Sequence, residues 1–155
     1  MRRSDREVTD LGEILGIVRR AEFCTLALGG DYPYAVPLSF GECYENGVLT
    51  LYFHGASEGE KLTRIARDPR AGFSLVTGAA VRQSVQPCGC TTSFESVIGY
   101  GAAALVADRA ERERGLSLLL HHYGYTGEPA FDEKVMEHTV VFKLTAERFT
   151  AKRHE

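Results

Sequence analysis

NGVLTLYFHGASEGEKLTRIARDP, residues 46–69, holds a change of period that decides the architecture. Asn46-Gly47 supplies the positive φ angles of a two-residue hairpin turn, so the run that follows, Val48 to Phe53, returns antiparallel to the strand before it. The small residues Gly55, Ala56 and Ser57 then lead into a helix. Its inner face is marked by Leu62, Ile65 and Ala66, its start by a capping-box pattern over Ser57-Glu58-Gly59-Glu60, and its end by Asp68-Pro69. A strand that turns into a helix through small residues leaves room for an anion at the first amides of that helix, and Lys61 can add a full positive charge. A plain helix start explains Ser57, Glu58 and Glu60 equally well, and the two carboxylates would repel a phosphate.

Working outward, Leu11, Ile14, Leu15 and Val18 recur at helical spacing behind Thr9 and Asp10, with Arg19 and Arg20 suited to the C-terminal end. Phe23 to Leu28 reads as a strand, Gly29-Gly30-Asp31 as a turn, and Tyr34 to Glu42 as a second strand. Pro37 cannot donate to a ladder, so its strand is an edge, a bulge or a ligand-facing segment. Arg70 to Thr77 resumes strand pattern, whereas Gly78 to Phe94 has no periodicity and reads as a long irregular segment. Ser96 to Val106 is a strand. Asp108 to Glu111 opens a helix with Leu116, Leu119 and Leu120 inward, ended by His121-His122-Tyr123-Gly124. A short helix around Phe131 to Glu137 and closing strands at Thr139 to Leu144 and Arg148 to Lys152 complete the chain. About six strands without βαβ alternation imply an α+β fold, a six-stranded antiparallel split β-barrel with flanking helices, in one domain over residues 1–155.

The chain has 155 residues, 44% of them hydrophobic and 25% charged, enough for one core and ordinary for a globular protein. No apolar run approaches the about 18 to 20 residues of a membrane span, and no apolar segment follows the basic opening MRRSDREVTD, so the expected location is the cytoplasm, away from any membrane. A formal net charge of −3 with interspersed signs argues against nucleic acid. The four cysteines are expected as thiols, Cys24 in the core. Cys88-Gly89-Cys90 with His121 and His122 has poor spacing for a tetrahedral zinc site, so no metal is expected. Arg109, Arg112 and Arg114 read as a solvated helix face.

The ordered set PYAVPLSFG (33–41), NGVLTLYFHGASEGEKL (46–62), DPRAGFSL (68–75) and SVIGYGAAALV (96–106) resembles the FMN-binding split-barrel superfamily related to pyridoxamine 5'-phosphate oxidase. More narrowly the chain is similar to the nitroimidazole-resistance (Nim) group of flavin-nucleotide-binding proteins, which share an opening like MRRSDRE and a late His-Tyr pair. The resemblance implies a homodimer with FMN at the subunit interface. Val36, Pro37, Leu38 and Ser39 would run along the flavin ring, Phe53, His54, Gly55 and Ala56 would pass beneath the ribityl-phosphate arm, and Lys61 would bind the phosphate. Ser96, with its neighbours Glu95 to Ile98, would approach the flavin, from the other subunit in one arrangement. His54 is the candidate catalytic residue, able to orient a substrate or move a proton. The implied activity is reduction of a small organic electrophile, nitroaromatic or quinone-like. No G-x-G-x-x-G motif is present, so NAD(P)H would be a transient donor over the flavin. Alternatives are a non-catalytic flavin or haem carrier or sensor, with His54 or His121 as haem ligands, and a pyridoxamine 5'-phosphate oxidase, which the absence of an R.SR.EW-type C-terminal segment disfavours.

Overall fold

In a computed structural model, which describes residues 3–154, antiparallel strands meet in one sheet ordered β3-β2-β6-β7-β8-β5-β4, with β1 added to β8. The strands are β1 (Glu7–Val8), β2 (Cys24–Leu28), β3 (Tyr34–Leu38), β4 (Gly41–Glu45), β5 (Val48–Gly55), β6 (Arg70–Arg82), β7 (Thr91–Leu105) and β8 (Val140–His154), and the helices are α1 (Leu11–Arg20), α2 (Glu60–Arg67), α3 (Arg109–His122) and α4 (Glu133–His138). The α+β antiparallel class follows the expectation. The count among the described residues is eight strands, because β1 is a short addition and the expected strand from Tyr34 to Glu42 divides at Ser39-Phe40. Met1 and Arg2 of the basic opening lie outside the described residues.

The division has a packing cause. Phe40 is fully buried with its ring 4.3 Å from that of His122, and β4 begins at Gly41 directly under the backbone of α3. A Cβ on Gly41 would stand 2.3 Å from the Leu119 amide nitrogen, so only glycine lets helix and strand approach this closely. The chain therefore turns a corner there to serve two neighbours. Asn46 and Gly47 have φ of 52° and 82°, and the hairpin they make registers β4 on β5.

The segment expected to be irregular is instead mostly ladder. β6 and β7 continue past the body of the sheet as a paired arm, Ala80 opposite Ser93 and Arg82 opposite Thr91, after a register shift at Gly78. Every residue from 78 to 92 is exposed, so no apolar alternation announces these strands; backbone hydrogen bonds hold them. β8 is likewise one strand rather than two, with a register irregularity opposite Tyr100 and Gly101.

The main core joins α1 to the sheet interior through Ile14, Ile17, Val18, Leu26, Leu49, Leu51, Phe53, Leu75, Phe142 and Leu144. Cys24 belongs to it, and burial pushes its thiol up to about 12. A second cluster, Tyr52, Val106, Leu116, Met136 and Val141, lies under α3 and α4 on the opposite face of β5 and β8. Arg112, expected on a solvated face, turns inward and donates to the carbonyls of Met136 and Thr139, tying α4 to β8. Among the described residues no helix is long and apolar enough to cross a membrane.

Candidate functional site

The corner after β5 is built by two neighbouring elements. β5 is paired to β8 through Gly55, opposite Val140, and the chain then passes Ala56, Ser57 and Glu58 to α2. The helix starts later than the capping-box pattern predicts. Its N-cap is Gly59 at φ 138°, a conformation that disfavours a side chain, and no side chain caps the helix. Ser57 lies outside it, and Lys61 is its second residue rather than one turn in.

Lys61 folds back over β5. A Cβ on Gly55 would lie 3.1 Å from Lys61 Cε and 3.3 Å from Nζ, so the missing side chain is what lets the ammonium rest over the strand end. Lys61 takes part in no ion pair among the described residues. The carboxylate of Glu60, an apparent repellent for an anion, is drawn down the helix to Arg64 at 2.6 Å. Arg64 also donates to the carbonyls of Gly29 at 2.8 Å and Tyr32 at 2.6 Å, and its guanidinium lies 5.1 Å from the Tyr34 ring centre. That arginine locks α2 to the β2–β3 turn and so fixes where Lys61 starts. Sequence reasoning missed this role; its only signal was the i,i+4 spacing from Glu60.

The expected residues do not all meet. Val36 and Leu38 turn toward the core, while Pro37 is exposed on the edge strand β3, where a missing N–H costs nothing. Ser39 sits half-buried in the corner before β4. Phe53 is a core residue, its ring stacked 5.2 Å from Phe142, so only its backbone is free for a ligand. His54 is exposed and shares the face of β5 that carries Tyr52 and its pair partner Val141, beyond the cover of α3. Gly55 and Ala56 lie beside Lys61 at the corner. Ser96 pairs with Lys152 while His54 pairs with Val141, and those two β8 residues are roughly 36 Å apart along the strand. One subunit therefore does not bring Ser96 to the Lys61 corner.

The outer face of β3, β2, β6 and β7 is bare. One register row reads Pro37, Thr25, Ser74 and Ile98, and the next Ala35, Ala27, Gly72 and Tyr100, all exposed or half-buried. Arg148 lies 4.9 Å from the Tyr100 ring centre at its margin. A groove of about 710 Å³ runs there between Gly29, Gly72, Tyr100 and Arg148. Small side chains make this face flat, and Ile98 and Tyr100 make it apolar.

The late His-Tyr pair has a structural use. His122 Nε2 bonds the Ala21 carbonyl at 2.8 Å, and the Tyr123 hydroxyl donates to the Glu22 carbonyl while accepting from the Phe40 amide at 3.4 Å. The end of α3 is thereby clamped to the end of α1. His121 instead meets the Gly127 carbonyl at 3.0 Å. No cluster of three or more metal-ligating side chains occurs among the described residues.

The architecture and the strand-to-helix corner define an antiparallel α+β domain of the split-barrel class. Residues 10–153 match the family profile described as pyridoxamine 5'-phosphate oxidase, and the chain belongs to that family. Among solved structures it is similar to a candidate 5-nitroimidazole antibiotic resistance protein from Bacteroides thetaiotaomicron, with 25% identity over 95% of this chain and 86% of that one and a TM-score of 0.79. It is also similar to the FAD and heme binding protein from Mycobacterium smegmatis, with 22% identity, coverage of 97% and 74% and a TM-score of 0.82. A third similar fold is the flavocytochrome Anf3 from Azotobacter vinelandii, with 18% identity, coverage of 100% and 72% and a TM-score of 0.81. No curated protein matches.

Proposed function

We propose that the protein is an FMN-dependent, homodimeric reductase of small organic electrophiles such as nitroaromatics or quinones, with NAD(P)H as a transient donor. The observation that carries this reading is the Lys61 ammonium held over Gly55 without a carboxylate partner among the described residues, beside the uncapped start of α2. A phosphate there meets one full charge and the positive end of a helix. Family membership, together with similarity to an FAD and heme binding protein and to a candidate nitroimidazole resistance protein, favours a flavin as the owner of that phosphate. Bound flavin supplies the hydride and electron chemistry; the chain supplies binding, orientation and a dry surface. His54, exposed next to the corner, orients the substrate or moves its proton.

The separation of Ser96 from the corner supports the dimer. A second copy seated on the bare face brings its own β7 toward the first copy's edge, and a continuous flat apolar surface suits a self-complementary contact. The exposed His54 keeps a second reading alive, a haem-binding carrier in which it is an iron ligand.

Replacing Lys61 with Ala is expected to weaken FMN by about 1.5–3 kcal/mol and riboflavin much less, because riboflavin has no phosphate. Equal weakening of both places the phosphate elsewhere. The visible spectrum of protein titrated with FMN and with haem separates the two readings. Bleaching by NAD(P)H followed by reoxidation with a nitroaromatic separates an enzyme from a carrier.

A further inference from the structure

The arm formed by β6 and β7 ends in a turn that carries two of the four cysteines, both exposed. We propose that Cys88 and Cys90 form a surface dithiol that exchanges with small organic disulfides of the glutathione type, closing reversibly into an intrachain disulfide.

The loop is a built unit. A 3-10 turn, Pro87–Gly89, folds the chain between the two cysteines, with the Gly89 amide donating to the Gln86 carbonyl at 2.8 Å and the Cys90 amide to the Pro87 carbonyl at 3.1 Å. Such a turn sets alternate Cα atoms roughly 5–6 Å apart, inside the span of about 4.4–6.8 Å that a disulfide bridges. An extended C-x-C segment would keep both sulfurs on one face but set the two Cα atoms roughly 6.4–6.8 Å apart, at the upper limit of that span; the turn draws them closer.

The two thiols are held differently. Cys90 Sγ accepts the Ser84 amide at 3.4 Å and faces the Ser84 carbonyl at 3.7 Å. Ser84 Oγ accepts from the Gln86 amide at 3.3 Å, and Gly89 packs so closely that a Cβ there would lie 2.6 Å from that oxygen. Cys90 is thus anchored across the loop. Among the described residues Cys88 Sγ has only the Gln86 side-chain oxygen, at the long distance of 4.0 Å, and its exposure lets it meet a partner from solvent. Accessible attack by one sulfur and positioned closure by its neighbour are the two requirements of exchange.

The Cys88 thiolate attacks one sulfur of R–S–S–R, forming Cys88–S–S–R and expelling R–S⁻. The Cys90 thiolate then attacks the Cys88 sulfur, forming the Cys88–Cys90 bond and expelling the second R–S⁻. The two protons given up by the cysteines end on the released thiols. The protein loses two electrons and the small disulfide gains them. The short ring between near neighbours keeps the bond strained and exposed, which places it among labile disulfides rather than structural ones. Cys24, buried in the core with its thiol pushed up to about 12, takes no part.

The test uses the full reduced chain, incubated with glutathione disulfide, quenched with acid and mapped by mass spectrometry. The native chain is expected to finish as a Cys88–Cys90 disulfide with two glutathione molecules released. Cys90→Ser is expected to stop as a glutathione adduct on Cys88, and Cys88→Ser to react at least about tenfold more slowly. The proposal is overturned by an unreactive native chain, by a native chain that stops as a stable adduct, by disulfides joining two chains, or by Cys88→Ser reacting as fast as the native chain.

Discussion

The sheet has two outer regions that differ in cover. Over β4, β5 and β8, helix α3 lies so close that Gly41 and Gly115 have no room for a Cβ, and the half-buried polar groups are paired: the Tyr52 hydroxyl donates to Glu111 at 3.0 Å and Lys143 to the same carboxylate oxygen at 2.5 Å. On the outer face of β3, β2, β6 and β7 the two register rows stay exposed or half-buried among the described residues, and they are uncharged, small apart from Pro37, Ile98 and Tyr100, with Arg148 at the margin. A covered face shows up as close contacts and satisfied polar groups, an uncovered one as flatness. The Lys61 corner lies beside α2, which is locked to the β2–β3 turn at the edge of the bare region, so a site there gains a wall only when that region is covered.

The sharpest way to break the covered region is Gly41→Ala, whose new methyl meets the α3 backbone; a loss of about 3 kcal/mol in urea unfolding is expected, because backbone cannot step aside as a flexible side chain does. The bare region should respond in the opposite sense. Ile98→Asp is expected to leave chain stability within about 0.5 kcal/mol yet weaken self-association by about 2 kcal/mol or more, read as a light-scattering mass falling toward one chain. A native protein already at the mass of one chain at working concentration removes the dimer from the proposal.

Smaller effects sharpen the contrast. Tyr52→Phe deletes the hydroxyl bonded to Glu111 and is expected to cost about 1 kcal/mol in urea unfolding. The same group gives a pH signature. Burial, followed by the Glu111 hydrogen bond, pushes Tyr52 up to about 12, above its ordinary value near 10, so its contribution is complete below about pH 10 and is lost as pH rises toward 12. Glu111 moves the other way. The Lys143 hydrogen bond holds its carboxyl below the usual range, so its contribution is present above about pH 4.3 and disappears as pH falls through the lowered value. Thermal melts across pH should show both shoulders in the native chain and lose the alkaline one in Tyr52→Phe.

The parts of the fold legible in the sequence are those where burial imposes a period. Helix α1 follows its apolar stripe, with Asp10 accepting the Glu13 amide at 2.9 Å as the cap, and Asn46-Gly47 fixes its hairpin. The outer arm is not legible, since strands exposed on both faces need no apolar alternation. The Ser57 capping pattern misleads because a local motif competes with the turn the chain must make after β5, and Gly59 at φ 138° makes that turn. The candidate site is legible in part. Lys61 and Gly55 adjoin in sequence and in space, but the face of His54 is hidden in the sequence because Leu51, Tyr52 and Phe53 are all buried, which erases the alternation that assigns sides.

The glycine that starts α2 carries one more implication. A first turn without a side-chain cap has amides that neither serine nor aspartate quiets, so the end of α2 to which the proposed phosphate is assigned is held only loosely by the chain itself. Hydrogen–deuterium exchange at Glu60 and Lys61 should accordingly be fast in the free protein and slow when a phosphorylated ligand settles, making those two amides a built-in reporter of occupancy.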